Sequence, residues 1–287
     1  MNLADTGTIR ALLGRHGFQF SKKLGQNFLI NPSVCPRMAD ACGAGPGVGV
    51  LEIGPGIGVL TAELAKRAQK VAAIELDSRL LPVLAETLAG CGNVHIVQGD
   101  VLKLDLPLLL QREFPGLRVA VCANLPYYIT SPVMMKLLSE KLPVESLTVM
   151  VQKEAGARLC AKPGERACGA VSAAVWYYAQ PAQLFPVGRG SFLPSPNVDS
   201  AVIQLRVRPA PPVALRSEAF FFRVVRACFS QRRKACANAL SGGLGIAKAA
   251  AAAALEAAGA APGVRAEALT LEQLAALANA LWDAGNR

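Results

Sequence analysis

Between Gly47 and Val151 the chain alternates short apolar runs with stretches of helical spacing, and that alternation leaves few folds open. The runs Val48 to Ile53, Val71 to Leu76, Val94 to Val97, Val119 to Ala123 and Leu147 to Val151 read as short buried strands. Leu60 to Ala68 and Leu80 to Leu88 read as helices between them. Strands alternating with helices imply a parallel sheet covered on both faces. Ala170 to Ala179 and Ala201 to Val207 are two further β-rich runs without a long helix between them, the pattern of a terminal antiparallel pair. The expected fold class is therefore α/β.

Past Arg208 the character changes. Pro209-Ala210-Pro211-Pro212 reads as a stiff linker, and the long runs beyond it are helical: Phe220 to Leu240, Ile246 to Ala258 and Thr270 to Trp282. Thr270-Leu271-Glu272-Gln273 has capping-box spacing, and Asn31-Pro32 reads as the cap and first position of an earlier helix. The expected division is a large domain over 1–208, with an N-terminal basic segment over 1–31, and a small all-helical C-terminal domain over 209–287.

The run Val119 to Ala123 ends in Asn124-Leu125-Pro126-Tyr127-Tyr128. Proline has no N–H and restricts the residue before it, so the chain must leave the sheet here. Ligands of open α/β sheets lie just outside the carboxyl ends of the strands, which puts this segment where chemistry is done. Asn124 offers a hydrogen-bond acceptor, the carbonyls of Leu125 and Pro126 can join it, and Tyr127 offers a stacking face. That set suits a flat target bearing an amine.

The first strand-to-helix turn reads Glu52-Ile53-Gly54-Pro55-Gly56-Ile57-Gly58. Glycines there let the backbone approach a ligand closely. The spacing is GxGxG rather than the GxGxxG of a dinucleotide site, and Glu52 ahead of it would repel a pyrophosphate. An acid there suits an amino group or a sulfonium instead. Glu75, ending the second strand, can accept both hydroxyls of a ribose, and Asp100, after the third, can accept an exocyclic adenine amine. Three acids at successive strand ends together with the glycine turn point to S-adenosylmethionine.

Lys and Arg number 30 against 20 Asp and Glu, a formal net charge of +10 that favours a polyanionic partner such as nucleic acid. The excess clusters: Arg206 to Lys234 holds eight basic residues against the single acid Glu218. The eight cysteines are never closer than seven positions apart and form no CxxC pair, so reduced thiols are expected and a zinc site is not. The two histidines, His16 and His95, lack ligand-like neighbours in sequence, and no metal is expected. With no long apolar span and no signal-peptide pattern, the chain reads as soluble and cytoplasmic.

Taken together, the motifs resemble the ribosomal RNA adenine N6,N6-dimethyltransferase family, most closely its small-subunit (16S) branch. The residues that carry the likeness are Lys23 to Leu29, Glu52 to Gly56, Ile74 to Asp77, Gly99-Asp100, Asn124 to Tyr127, Val151 to Glu154, Phe192 to Ser200 and Ser230 to Lys234, in family order along nearly the whole chain. The resemblance implies a Rossmann-like S-adenosylmethionine-dependent methyltransferase sheet. It places Asn27, Leu29, Gly54, Gly56, Glu75, Asp100 and Asn124 at the cofactor. It implies that Asn124, Leu125, Pro126 and Tyr127, with Phe192, hold the target adenine. The substrate it implies is two adjacent adenosines in the 3′-terminal hairpin of small-subunit rRNA, within an immature small ribosomal subunit. Lys22, Lys23, Arg223, Arg232, Arg233 and Lys234 are the expected RNA contacts, and a monomer is expected.

Three segments depart from the family pattern: Ala155-Gly156-Ala157-Arg158, Cys168-Gly169 and Ala235-Cys236-Ala237. A large-subunit rRNA adenine methyltransferase shares the core motifs, but Arg265-Ala266-Glu267 and Val198-Asp199-Ser200-Ala201 look more like the small-subunit enzyme. A ribosome-assembly factor acting mainly by binding is a second alternative. A nicotinamide oxidoreductase is disfavoured by the GxGxG spacing.

Overall fold

The computed structural model describes residues 3, 5–21, 25–231, 233–261 and 263–285. Its elements in chain order begin with α1 (Thr6–Arg15), β1 (Phe28–Leu29), α2 (Val34–Ala41), β2 (Val48–Ile53), α3 (Val59–Ala65), β3 (Lys70–Glu75) and α4 (Leu81–Thr87). Next come β4 (Val94–Gln98), α5 (Leu106–Glu113), β5 (Arg118–Asn124), α6 (Thr130–Ser139), β6 (Ser146–Gln152), α7 (Lys153–Cys160) and α8 (Ala170–Tyr178). The last are β7 (Ala179–Val187), β8 (Phe192–Leu193), β9 (Ser200–Val207), α9 (Glu218–Phe229), α10 (Cys236–Leu244), α11 (Lys248–Ala257) and α12 (Leu271–Gly285).

Seven strands form one sheet in the order β4-β3-β2-β5-β6-β9-β7. The pairings of β2 with β3 and β5, of β3 with β4 and of β5 with β6 are parallel, while β6 and β9 are antiparallel. Chain order reverses between β2 and β5, which makes the gap above their carboxyl ends the switch point where such sheets take ligands. A separate two-stranded ladder pairs β1 with β8.

The terminal pair of the sheet differs from the expectation. Residues 170–178 form the helix α8, and the strand that neighbours β9 is β7. The run Ala170 to Tyr178 is apolar on all sides, so periodicity could not separate strand from buried helix. Ser172 decides it locally: its Oγ accepts the N–H of Gly169 at 2.9 Å, closing the first turn. β7 was hidden by Pro181 and Pro186, which argue against a central strand but are tolerated at the sheet edge it occupies. Asn31 does not cap a helix either. Its Oδ1 accepts from the N–H and the hydroxyl of Ser33 in a side-chain turn, and α2 starts at Val34. The long run expected over Phe220 to Leu240 is two helices, because Ser230 returns both its N–H and its hydroxyl to Ala227 O and ends α9.

The chain forms two compact units: Met1–Gly156 with Ala182–Val207, and Ala157–Pro181 with Arg208–Arg287. The second unit therefore includes 157–181, a stretch that the continuous division at 208 assigned to the large domain. In the first unit, α2 and α3 cover one sheet face through Val34, Met38, Leu60 and Leu64 against Val48, Val50, Ala120 and Met150. α1 and α4 form a further cluster around Ile9, Leu12, Val83 and Leu84. Gly156 suits this packing, since a Cβ there would lie 3.3 Å from methyls of Val151 and Ile203.

In the second unit the core runs from Tyr177 and Phe221 through Val224, Leu240 and Leu255 to Leu274 and Leu277, and Cys236 and Ala237 are buried within it. The expected capping box is present: Gln273 N–H reaches Thr270 Oγ1 at 3.2 Å, and Thr270 N–H reaches Gln273 Oε1 at 3.1 Å. Thr270→Ala should lower stability by about 1 kcal/mol, as loss of such a cap usually does, read as a smaller urea midpoint for the full chain at unchanged m-value.

Candidate active site

Register and alternation place the polar side chains of the site. Glu52 is level with Ala73 on β3 and Cys122 on β5. Two residues further along their strands, and so on the same sheet face, stand Glu75 and Asn124. That face is the one on which Val48, Val50, Ala120 and Cys122 meet α2 and α3. At the carboxyl ends the apolar rows therefore give way to carboxylate and amide. Asp100 lies two residues beyond the end of β4, and the Gly99 between them donates its N–H to Glu75 O at 2.9 Å.

These ends open into a cavity of about 1150 Å³, counting the part open to solvent. Its wall includes every residue expected at the cofactor: Asn27, Leu29, Gly54, Gly56, Glu75, Asp100 and Asn124. It also includes Leu125, Pro126, Tyr127 and Phe192. The β1–β8 ladder brings Leu29 opposite Phe192, and Ile30 N–H binds Ser191 O at 2.8 Å. The glycine turn takes left-handed φ values of 71° at Gly54 and 61° at Gly56. A Cβ on Gly56 would come within 3.2 Å of the Phe28 ring, whereas one on Gly54 would meet no protein atom within 4 Å. The backbone at Gly54 is thus bare toward open space.

Glu75 is held from two sides. Its Oε1 accepts Asp77 N–H at 2.7 Å and its Oε2 accepts Gly56 N–H at 3.3 Å. Burial raises its pKa and these backbone donors oppose the rise. Asp77 binds Gln26 Nε2 at 2.8 Å and pairs with Arg79 through both oxygens, which lowers its own pKa. Gln26 Oε1 accepts Ser21 N–H, so this network ties the segment before β1 to the end of β3. Asp100 Oδ1 accepts Leu102 N–H at 3.0 Å.

At the other end, Asn124 Nδ2 makes a long 3.5 Å contact with Asn27 O, leaving Oδ1 as its acceptor. The carbonyl of Pro126 is engaged twice, by Ile129 N–H at 3.2 Å and by the Thr130 hydroxyl at 3.4 Å. Tyr127 is anchored through its hydroxyl to Ser200 Oγ at 2.8 Å. Tyr128 is 54% exposed, and its ring lies 3.4 Å from where a Cβ on Gly25 would sit.

The cavity wall is acidic. Glu52, Glu75 and Asp100 line it, and among the described residues no Lys, Arg or His does. Glu52 is 1% exposed, and neither its Oε2 nor the neighbouring Thr61 Oγ1 completes a hydrogen bond. A buried carboxyl with one unpartnered oxygen, bare glycine backbone and acids at two further strand ends suit a nucleoside that carries positive charge. Among the described residues no three His, Cys, Asp or Glu gather as a metal site.

Of the expected RNA contacts, Arg223 lies exposed on α9 with its guanidinium 5.4 Å from the Phe220 ring centre, and Arg233 and Lys234 are exposed before α10. Lys22, Lys23 and Arg232 lie outside the described residues. Sequence reasoning assigned no role to Gln26, Leu76 or Ser200. Leu76 had a usable signal, an apolar residue directly after the strand-end acid, and it is 50% exposed at the cavity. Ser200 had none, because its partner Tyr127 is remote in sequence.

The chain matches the family described as ribosomal RNA adenine dimethylase over residues 17–282. It is 48% identical to the ribosomal RNA small subunit methyltransferase A of Geobacillus thermodenitrificans, over 98% of this chain and 97% of that protein. The protein of that name from Bacillus cereus strain B4264 is also 48% identical, with the same coverage. Among solved structures, a dimethyladenosine transferase from Plasmodium falciparum superposes with a TM-score of 0.73 at 26% identity, covering 87% of this chain and 95% of that one. The 23S rRNA methyltransferase ErmE superposes with a TM-score of 0.68 at 29% identity, covering 89% and 99%.

Proposed function

The chain belongs to the ribosomal RNA adenine dimethylase family, and from that premise we propose how its cavity works and on what. It is an S-adenosylmethionine-dependent adenine dimethyltransferase acting on small-subunit rRNA. ErmE shares the fold, but the relatives at 48% identity carry the small-subunit name, so the large-subunit alternative is not favoured. The finer target is two adjacent adenosines of the 3′-terminal hairpin, met in an immature small subunit by a monomer in the cytoplasm. No helix among the described residues is long and apolar enough to cross a membrane.

S-adenosylmethionine, when bound, supplies a methyl group activated on a sulfonium. Glu75 and Asp100 would hold its nucleoside part, with Asn27, Leu29, Gly54 and Gly56 around it. Adenine N6 is a poor nucleophile because its lone pair is delocalised into the ring. Asn124 Oδ1 and one backbone carbonyl accept the two N6–H bonds and favour a pyramidal nitrogen. The free choice of carbonyl is Leu125, since that of Pro126 is already engaged twice. Tyr127, anchored by Ser200, and Phe192 fix the ring. The target base leaves its stack to enter. Orientation then carries most of the rate gain, worth up to about 7–11 kcal/mol in well-aligned systems. No base is required, because the methylated amine becomes acidic as it forms and loses its proton to water.

The observation that carries this reading is the convergence of Asn124, Leu125 and Tyr127 with Gly54, Glu75 and Asp100 on one cavity. Its test is methyl transfer from labelled S-adenosylmethionine to unmethylated small and large ribosomal particles, followed by mapping of the modified nucleoside. Dimethyladenosine confined to the small particle is expected, and label on the large particle would overturn it. In the helical unit, Arg233→Ala with Lys234→Ala should weaken RNA binding. The slope of log K against log salt should become shallower by about 1.4–1.8, the value of two phosphate contacts.

A further inference from the structure

Glu52 is buried beside the cavity in surroundings that, among the described residues, offer its charge no cation and no relief beyond the Thr61 hydroxyl. Its neighbours along the same face of β2, Val48 and Val50, belong to the apolar core, and across the sheet it meets Ala73 and Cys122. The elements packed on this face bring the thiols of Cys35 and Cys42, the hydroxyl of Thr61 and the carboxyl of Glu75, with Glu63 further out. Arg67, a cation whose field reaches Cys42, is bound by Glu63 and Asp40. Oε2 has no hydrogen-bond partner, yet the residue lines the cavity. Burial, with repulsion from Glu75 and Cys42 and some relief from Thr61, pushes the pKa of Glu52 up to about 8.

We infer that Glu52 is a proton-exchanging counter-ion, neutral in the free protein and ionised when a cationic cofactor enters, so that binding releases a proton. This rests on the reading of the cavity as the S-adenosylmethionine site. The step makes and breaks no bond other than the carboxyl O–H: the proton leaves to solvent, and the carboxylate remains opposite the ligand's positive charge. The ammonium and the sulfonium of the cofactor share that chemistry. S-adenosylhomocysteine keeps only the first, so it separates the two sources.

The test is calorimetric titration of the full chain with S-adenosylmethionine at pH 6.5, in two buffers of different ionisation enthalpy. That pH lies below both the value near 8 for Glu52 and the α-amino range of about 7.7–8.0, so the cofactor's amine is already protonated. The wild type should release close to one proton per cofactor, and Glu52→Gln should release none. The wild-type Kd should also fall by up to about tenfold per pH unit between pH 6 and 7.5, an arm that needs no variant. Release with S-adenosylhomocysteine equal to that with S-adenosylmethionine would support the exchange and assign it to the ammonium; smaller release would support it and assign it to the sulfonium. Binding without net proton release, or release that survives Glu52→Gln, would overturn the inference. Absence of cofactor binding altogether would instead overturn the reading of the cavity.

Discussion

Replacing Asn124 by alanine should slow methyl transfer by about a thousandfold, the scale of losing one preorganised hydrogen-bonding group, while leaving the Kd for S-adenosylmethionine within a few-fold of wild type. The separation of effects follows from where the amide sits. Asn124 ends β5, its Nδ2 leans on the Asn27 carbonyl only at 3.5 Å, and Oδ1 is the acceptor left to a ligand. Its loss removes an acceptor for N6–H and little that shapes the cofactor's end. Asn124→Asp keeps the oxygen but adds charge to an already acidic wall. The measurement is single-turnover transfer to unmethylated small subunits beside calorimetric cofactor binding. A fall in cofactor affinity as large as the fall in rate would reassign Asn124 to the cofactor.

Glu75→Ala should do the reverse. Two charge-assisted hydrogen bonds to a ribose are worth about 1.5–3 kcal/mol each, so the cofactor Kd should rise by about a hundredfold to about ten-thousandfold. Two contributions act in the same direction. The carboxylate would lose its ligand contacts, and it would also cease to accept Gly56 N–H and Asp77 N–H, which fix the glycine turn and the start of the following segment. Glu75→Gln separates them, since its amide oxygen can keep one of those backbone donors. At saturating cofactor the transfer rate of Glu75→Ala should recover to within about tenfold of wild type, because ground-state binding is what was removed. A rate that stays low at saturation would show that Glu75 also positions the reacting groups.

The strands that carry the site were legible because a parallel sheet buried on both faces writes itself as short apolar runs, and an acid or amide ending such a run stands out. Glu75, Asp100 and Asn124 were found in that way, and register brings all three to one cavity. What escaped depends on partners remote in sequence. α8 looked like a strand because its sequence is apolar nearly all round, which erases helical period. β7 looked like a loop because its prolines are acceptable only at an edge, and edges are a property of the finished sheet. The double use of Pro126 O, and with it the choice of Leu125 as acceptor, depends on how the turn into α6 closes. The isolation of Glu52 cannot be read from a motif in which it looks like any other strand-end acid. It emerges from what α2 and α3 lack.

The acidic cavity wall has a bearing on how a polyanion is handled. Each nucleotide carries a negative phosphate and an uncharged ring, and a recess lined by Glu75 and Asp100 with no described cation would treat the two parts oppositely. On the proposed reading it would turn the backbone away at the rim while the neutral ring passes, so the depth to which the strand enters would be set by charge before shape is consulted.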